Sequence, residues 1–98
     1  MFTPVTGRAR WQGNIFYGSG IRMHFVYVLK SLKDQGWYIG YTENLERRLN
    51  DHNMGKNTST KPRRPLILIY YEAYLNKFDA LGREKFLKSG SGRRFLEK

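Results

Sequence analysis

Aromatic and β-branched residues gather in three short runs that are separated by polar segments. The first run, HFVYVLK (24–30), and the second, WYIGYT (37–42), flank a polar stretch that contains Asp34 and Gly36. Two such runs around a short glycine-containing turn are typical of a β-hairpin. The third run, LILIYYEAY (66–74), has the strongest β-strand composition in the chain. We therefore expect three strands, of which the first two are antiparallel.

A helical pattern follows the predicted hairpin. Leu45, Leu49 and His52 are spaced by four and three residues, which places them on one face of a helix of about three turns. The residues suited to cap this helix are Thr42 or Asn44 at its start and Gly55 at its end.

A second helical pattern covers DALGREKFLKS (79–89), and Asn76 or Asp79 is suited to cap it. Gly82 in its interior lowers helix stability by about 1 kcal/mol relative to alanine. We interpret SGSG (89–92) as a hinge that is followed by a short terminal helix or tail.

These elements follow one another in the order β-β-α-β-α. The polar segment KNTSTKPRRP (56–65) carries two prolines and is predicted to be a loop before the third strand. The simplest packing for this order is a sheet covered by helices. The expected fold class is thus α+β, with a small three-stranded antiparallel sheet flanked by helices.

Residues 1–22 differ from the rest of the chain. They include four glycines and three arginines, no acidic residue and no sustained apolar period. We interpret them as a flexible basic tail ahead of a domain at 23–98. Two explanations of the tail stay open: it adds basic contacts to nucleic acid, or it is not native and translation starts at Met23.

The charge balance narrows the choice of partner. The chain has 18 Lys and Arg against 8 Asp and Glu, which gives a formal net charge of +10. Such a surface binds polyanions, because it releases counterions from a phosphate backbone. The alternative is a basic protein without a specific polyanionic partner.

Other classes of protein are disfavoured by what the sequence lacks. It has no cysteine, which excludes disulfides and thiolate zinc sites, and its two histidines are too few for a multi-histidine zinc site. No apolar run approaches the roughly 20 residues of a membrane helix. The N-terminus lacks the apolar core of a signal peptide. We expect a cytoplasmic protein with no membrane partner.

Five polar side chains fall on the predicted elements where they can meet. Tyr27 and Tyr38 lie in the first two strands, Arg48 and His52 are four apart on the first helix, and Glu84 lies on the second helix. Phosphodiester cleavage needs a base for water, a cation for the phosphoryl oxygens and a metal for the leaving oxygen. A lone carboxylate with several waters suits Mg²⁺, so these residues favour a one-metal mechanism.

Each of these residues also has a purely structural explanation. Strand tyrosines often pack half-buried with a wet hydroxyl, and Arg48 fits a solvated helix surface. His52 on an apolar face fits a semi-buried histidine, and Glu84 is placed to pair with Lys88 one turn later. The joint spacing therefore carries more information than any single residue.

That spacing resembles the GIY-YIG nuclease family, including its small stand-alone bacterial members and the N-terminal nuclease domain of the excinuclease C protein. The matching residues are Tyr27 and the triplet Tyr38-Ile39-Gly40, followed ten and fourteen residues after Tyr38 by Arg48 and His52. The segments YIGYTENLERRLNDHN and DALGREKFLKSGSGRRF are also similar, and the second places Glu84 on the family's metal-ligand glutamate. The resemblance covers Met23 to Glu97.

The resemblance implies a role for each matched residue. Tyr27 would be the general base for water, Tyr38 would hydrogen-bond the phosphate or nucleophile, and Arg48 would hold the scissile phosphate. His52 would orient Tyr27 or a water, and Glu84 would bind one Mg²⁺ or Mn²⁺. Gly40 would let the backbone pass close to the nucleic acid or to the helix start.

Further basic residues are candidates for contact with the DNA backbone, which brings affinity without sequence readout. They are Arg47 beside Arg48, the loop residues Lys56, Lys61, Arg63 and Arg64, and the C-terminal residues Lys88, Arg93 and Arg94. Solvated surface charge is the alternative for each. We see no helix-turn-helix or zinc finger, so structure-specific or weakly selective cutting is expected.

Two departures from the family pattern keep other functions open. The first motif reads Phe25-Val26-Tyr27 and lacks its glycine, and we can place no late asparagine of the kind that some members use. The first hypothesis is a metal-dependent DNA endonuclease in repair or recombination. The second is a nucleic-acid-binding module of the same fold with little activity, and the third is a basic interaction protein in a larger repair complex. The oligomeric state is left open.

Overall fold

The computed structural model describes the backbone of residues 5–8 and all of residues 22–97. Four strands, three α-helices and one short 3₁₀ helix are described. They are β1 (Val5–Arg8), β2 (His24–Ser31), β3 (Trp37–Thr42), α1 (Leu45–Asn53), the 3₁₀ helix (Lys61–Arg63), β4 (Leu66–Tyr74), α2 (Lys77–Lys88) and α3 (Gly90–Leu96).

The three predicted strands form one antiparallel sheet with β2 in its centre. β2 pairs with β3 on one side and with β4 on the other. Tyr27, in the middle of β2, lies opposite Gly40 on β3 and Tyr71 on β4. The predicted α+β fold with a helix-flanked antiparallel sheet is confirmed, and the central strand carries the first candidate catalytic residue.

The edge of the sheet beyond β4 differs from the prediction. The segment 1–22, which we interpreted as a flexible tail, contributes β1, and β1 pairs antiparallel with β4 from Val5↔Ala73 to Arg8↔Tyr70. A four-residue edge strand is held by backbone hydrogen bonds and needs no apolar period, so periodicity could not reveal it. Residues 1–4 and 9–21 of the predicted tail lie outside the described residues.

Helices cover both faces of the sheet. Because side chains alternate along a strand, β2 sends Phe25, Tyr27 and Leu29 to one face and Val26 to the other. The first face packs against α1 through Leu45, and the second packs against α2 through residues such as Ala80 and Leu87. The sheet is thus the middle layer of three.

Both ends of α1 are fixed by local hydrogen bonds. The side chain of Asn44 accepts a hydrogen bond from the backbone N–H of Arg47, so Asn44 is the N-cap and Thr42 is not. At the C-terminus Gly55 has a φ of +77°. Its N–H donates to the carbonyl of His52, and that of Lys56 donates to Asp51. This is a Schellman motif, which turns the chain sharply into the predicted loop.

The interpretation of residues 89–92 as a hinge is wrong. Asn76 caps α2, and Ser89 ends α2 and also caps α3, because its Oγ accepts from the N–H of Gly92. A Cβ at Gly92 would lie 2.0 Å from the carbonyl oxygen of Phe86. Glycine at position 92 permits close packing of α3 on α2. The glycine and serine content of residues 89–92 is therefore explained by this packing and by helix capping, not by flexibility. Across residues 22–97, no helix is long and apolar enough to cross a membrane.

Candidate active site

The candidate active site forms around the buried hydroxyl of Tyr27. This hydroxyl lies 2.9 Å from Nε2 of His52 on α1. The other ring nitrogen of His52, Nδ1, lies 2.7 Å from the hydroxyl of Thr60 in the following loop. Tyr27 is 1% exposed, and His52 and Thr60 are 0% exposed. A strand, a helix and a loop thus supply one continuous hydrogen-bond chain.

Gly40 makes room for the phenol of Tyr27. The two residues are paired across β2 and β3. A Cβ at position 40 would lie 2.4 Å from the Tyr27 hydroxyl oxygen and 2.5 Å from the ring carbon that carries it. Within residues 22–97, the Tyr27 phenol is therefore the closest group to the position that a side chain at residue 40 would occupy. The approach of Gly40 to nucleic acid or to the helix start stays a prediction.

Tyr38 lies beside the hydrogen-bonded pair. Its ring centroid is 6.3 Å from that of Tyr27 and 5.0 Å from that of His52, and both ring pairs are inclined to one another. Tyr38 is partly exposed, unlike its two neighbours. The structure therefore brings Tyr27, Tyr38 and His52 together, with Tyr38 on the solvent side.

Charged groups around Tyr27 act in opposite directions on its acidity. Burial raises the pKa of Tyr27 well above its usual value, and Tyr38 and Glu84 raise it further. The Arg48 guanidinium lowers this pKa through its charge and through a hydrogen bond to the hydroxyl. Because burial outweighs Arg48, Tyr27 is a neutral phenol near neutral pH.

His52 is kept neutral by the same surroundings. Burial lowers its pKa, and the positive charge of Arg48 lowers it further, while Asp51 raises it. The sign of the shift means that the imidazole carries no charge at neutral pH. A neutral imidazole has one ring nitrogen with a free lone pair, so it can accept a proton.

Glu84 is the fifth predicted catalytic residue and lies on α2. Its carboxylate is near enough to influence Tyr27, and it forms an ion pair with Lys88 at 3.2 Å. Within residues 22–97, no group of three or more His, Asp or Glu side chains converges as a metal site. One hard oxygen ligand fits Mg²⁺ or Mn²⁺, which keep several waters and bind through one or two carboxylates. It does not fit a two-metal cluster.

The predicted nucleic-acid contacts fall into two groups. Most have side-chain partners within the described residues: Lys56 with Asp51, Arg63 with Asp34, Lys88 with Glu84, Arg93 with Glu97 and Arg94 with Ser91. Over residues 22–97, no ion pair holds Arg47, Lys61 or Arg64, and all three are exposed. Their charges are the more available to a phosphate backbone.

A basic groove lies beside the site. It has a volume of about 640 Å³, and its walls are Lys33, Asn53, Lys61, Pro62, Arg64 and Pro65. Three of these residues are cationic and none is acidic. Sequence reasoning missed Lys33, because only the fold brings the β2–β3 turn next to the loop that carries Lys61 and Arg64.

Arg63 does not line this groove, and its side chain is held by Asp34. Its guanidinium donates to both carboxylate oxygens of Asp34, at 2.8 and 3.3 Å, and to the carbonyl of Trp37. Hydrogen bonding from Arg63 lowers the pKa of Asp34 to about 2. These contacts tie the predicted loop to the β2–β3 turn, which is a structural role in the free protein.

A second polar cluster, which the sequence did not predict, is buried under α2. Glu72 on β4 is 1% exposed and accepts hydrogen bonds from Tyr70, Tyr74 and the guanidinium of Arg83. Burial alone would raise the pKa of Glu72, but the hydrogen bonds from Arg83, Tyr70 and Tyr74 lower it overall. The signal in the sequence is the period of two: Tyr70, Glu72 and Tyr74 share one face of the strand.

Arg83 extends this cluster to the last helix. Its guanidinium lies 5.0 Å from the ring centroid of Phe86 and 4.6 Å from that of Phe95, within the range of cation–π contacts. Arg83 also directly precedes Glu84. The cluster therefore fixes the turn of α2 that carries the candidate metal ligand.

The fold and the site define a known class of domain. A family model described as the GIY-YIG catalytic domain matches residues 23–97. The chain therefore belongs to the GIY-YIG family, a family of nucleases.

Its relatives are small bacterial proteins. The chain is 43% identical over 75 residues to a UPF0213 protein of Staphylococcus haemolyticus, covering 76% of this chain and 90% of the relative. It is 46% identical over 66 residues to the UPF0213 protein YazA of Bacillus subtilis, covering 66% of each. A UPF0213 protein of Clostridium perfringens is 43% identical over 67 residues, covering 67% of this chain and 71% of the relative. No solved structure matches significantly.

Proposed function

We propose that the protein is a DNA endonuclease that hydrolyses phosphodiester bonds at the Tyr27 site with one divalent metal ion. The observation that carries the proposal is the hydrogen bond between the buried Tyr27 hydroxyl and Nε2 of a neutral His52, with the Arg48 guanidinium close to the same hydroxyl. This arrangement joins a proton acceptor to a cation, and hydrolysis of a phosphodiester needs both.

The buried position of Tyr27 requires a movement before reaction. Since the residue is 1% exposed, water reaches its oxygen only where a neighbour gives way. We assign this movement to Arg48, because it is partly exposed and its guanidinium lies close enough to the hydroxyl to lower the pKa of Tyr27. A phosphodiester offers the guanidinium two oxygens in exchange, and Arg pairs with phosphate in this bidentate manner. Substrate thus draws Arg48 away and frees a lone pair of Tyr27.

The chemical step then moves two protons. The attacking water gives a proton to the Tyr27 oxygen, and Tyr27 passes its own proton to Nε2 of His52. The water oxygen forms a bond to phosphorus, and the bond from phosphorus to the leaving oxygen breaks. Arg48 stabilises the charge on the phosphoryl oxygens, and Tyr38 hydrogen-bonds the phosphate from the solvent side. His52 is needed because the raised pKa of Tyr27 prevents it from acting alone as a phenolate.

Glu84 is the residue that would hold the metal. A bound Mg²⁺ or Mn²⁺ supplies charge neutralisation at the leaving oxygen. In the free protein Lys88 pairs with the Glu84 carboxylate, so Glu84 must exchange this ion pair for the metal. Lys88 lies on the exposed side of the pair and is released to solvent or to DNA.

The substrate is bound through its backbone. Lys33, Lys61 and Arg64 in the basic groove and Arg47 on α1 contact phosphates, which gives affinity but no sequence readout. Such contacts favour structure-specific or weakly selective nicking, and repair or recombination is the role that we propose for it. Binding through phosphates has a steep salt dependence, and removing one phosphate-binding side chain lowers the salt slope by about one.

The test is cleavage of labelled branched, flapped and plain duplex DNA with Mg²⁺, with Mn²⁺ and with chelator. Tyr27→Phe and Glu84→Gln should each reduce metal-dependent cutting by about 100-fold or more. Tyr41→Phe and Glu46→Gln are matched controls, since both residues lie outside the site, and they should cut like the wild type.

Two results would contradict the proposal. Cutting that persists unchanged in Glu84→Gln would mean a contaminant or another catalytic centre. A wild type that binds DNA in a salt-dependent way and never cuts it would identify a binding module of the same fold.

A further inference from the structure

Thr60 closes the hydrogen-bond chain that begins at Tyr27. Its hydroxyl faces Nδ1 of His52 at 2.7 Å, and the residue is fully buried although it lies in a loop. The backbone of Thr60 is held on both sides, since its N–H donates to Asn57 and its carbonyl accepts from Arg63. The hydroxyl is therefore fixed in place. Loops usually run over the protein surface, and a polar group that is buried in one is expected to form a hydrogen bond.

The neighbours of His52 decide which of its nitrogens carries the proton. A neutral imidazole donates from one nitrogen and accepts at the other, and hydroxyl groups satisfy either role. Arg48 is a cation that can only donate, and it lies close enough to the Tyr27 hydroxyl to lower the pKa of that hydroxyl. Its positive charge favours the orientation in which the lone pairs of the Tyr27 oxygen face the guanidinium and the O–H points towards Nε2 of His52, 2.9 Å away. The proton of the neutral imidazole then lies on Nδ1, and the hydroxyl oxygen of Thr60 accepts a hydrogen bond from this N–H.

We propose that Thr60 is a positioning residue: it accepts the Nδ1–H of His52 and so holds the tautomer whose Nε2 lone pair faces Tyr27. In the opposite tautomer Nε2 would carry a hydrogen and could take no proton from Tyr27. The catalytic consequence rests on the proposed function, whereas the tautomer is a property of the folded protein. Thr60, His52 and Tyr27 thus act in sequence, with only Tyr27 reaching the reacting atoms.

The tautomer is measured directly by NMR. Long-range ¹H–¹⁵N correlation of ¹⁵N-labelled protein at mildly alkaline pH distinguishes the protonated ring nitrogen from the other one. The chain has two histidines, so His24, whose Nδ1 bonds Tyr41, is an internal reference. We expect His52 to carry its proton on Nδ1 in the wild type and in Thr60→Ser. In Thr60→Val the single tautomer should be lost, while His24 stays unchanged.

A matched control separates the hydroxyl from general effects on the loop. Thr58→Val makes the same replacement two residues earlier, at an exposed position, and should leave the His52 spectrum unchanged. In the cleavage assay Thr60→Val should cut at least about tenfold more slowly, and Thr60→Ser should restore the rate.

The result that overturns the assignment is a wild-type His52 protonated on Nε2, or a Thr60→Val spectrum identical to that of the wild type. If Thr60→Val does not fold, the wild-type and Thr60→Ser spectra still decide the tautomer. If no DNA is cut and His52 is protonated on Nδ1, the proposed function fails and the assignment of Thr60 stands.

Discussion

Replacing Gly40 by alanine tests the central contact of the site. The new Cβ would lie 2.4 Å from the Tyr27 hydroxyl oxygen, whereas ordinary van der Waals contact begins at 3.4 Å. The phenol must therefore move away by about 1 Å, and a forced shift of this kind in a packed core is unfavourable. It has little room, because it is 1% exposed and its ring packs against Tyr38 and His52.

The expected effect on stability is that of overpacking. Inserting a methyl group into a filled interior costs about 1–3 kcal/mol, and the clash with two atoms of a buried ring places Gly40→Ala in the upper half of that range. Urea unfolding followed by circular dichroism measures the change as a lower midpoint with an unchanged slope.

Gly82→Ala is the matched control for this substitution. Gly82 lies within α2 and is exposed, and a Cβ added there would meet no heavy atom within 4 Å outside its own helix. Alanine there should raise the free energy of unfolding by up to about 1 kcal/mol, because it improves helix propensity without a clash. The same chemical change thus gives opposite signs at two positions.

The effect on cleavage should exceed the effect on folding. A displacement of about 1 Å in a catalytic group costs on the order of 100-fold in rate. Gly40→Ala protein that is still folded should therefore cut about 100-fold more slowly, and Gly82→Ala should cut normally. Wild-type stability and cleavage in Gly40→Ala would refute the claim that Gly40 exists to admit Tyr27.

Three further predictions concern charges. Arg83→Met should lower the free energy of unfolding by about 3 kcal/mol at neutral pH, because it leaves Glu72 buried without its cation; chemical denaturation measures this. In the wild type the pKa of Glu72 is lowered, so its stabilising effect is complete above its usual value of 4.5 and is lost as the pH falls. Denaturation midpoints should therefore fall on acidification in the wild type and less so in Arg83→Met, and equal acid sensitivity would contradict the assignment. Lys61→Ala should lower the salt slope of DNA binding by about one, and Arg63→Ala by less, because Arg63 is held by Asp34; equal slopes for both variants would show that the ion pair opens on binding.

Local periodicity is sufficient to predict the elements that carry the site. Aromatic and β-branched composition places Tyr27 on a strand, and the spacing of Leu45, Leu49 and His52 places the segment that carries Arg48 and His52 on a helix. The helical spacing also reports which face of the helix is buried. Features of this kind are visible in sequence because the fold repeats them regularly.

The contact of Thr60 with His52 and the burial of Glu72 could not be predicted from local patterns in the sequence. Thr60 lies in a polar loop, where no period relates one residue to the next, and only the Schellman turn after α1 brings it to His52. The sequence marks Glu72 only as a member of a strand, since a carboxylate in a sheet is usually solvated. Its burial depends on Arg83, which is eleven residues further along the chain.

The sequence also does not reveal which basic side chains are available to bind phosphate. Composition counts Arg63 and Arg64 alike as neighbouring cations, yet Arg63 is bound to Asp34 and Arg64 lines the groove. The difference arises because the β2–β3 turn places Asp34 against Arg63, whereas no acidic residue lines the groove beside Arg64. Charge counts thus predict a polyanionic partner, and only the fold distinguishes a cation held by an ion pair from one that lines the groove.

The proposed site draws its residues from two helical layers on opposite faces of the sheet. Tyr27 and His52 belong to the layer of α1, whereas Glu84 belongs to α2, which packs against the other face. Among residues 22–97, no hydrogen bond or ion pair joins Glu84 to Tyr27 or His52, so their spacing depends on how α2 is seated on the sheet. The contacts of Arg83 with Glu72 and with Phe95 fix that seating together with the packing of Ala80 and Leu87 on the sheet. We therefore expect this buried cluster to influence the distance between the proposed proton-transfer residues and the proposed metal ligand. Substitutions at Arg83 should then raise the metal concentration needed for half-maximal cleavage more than they weaken DNA binding.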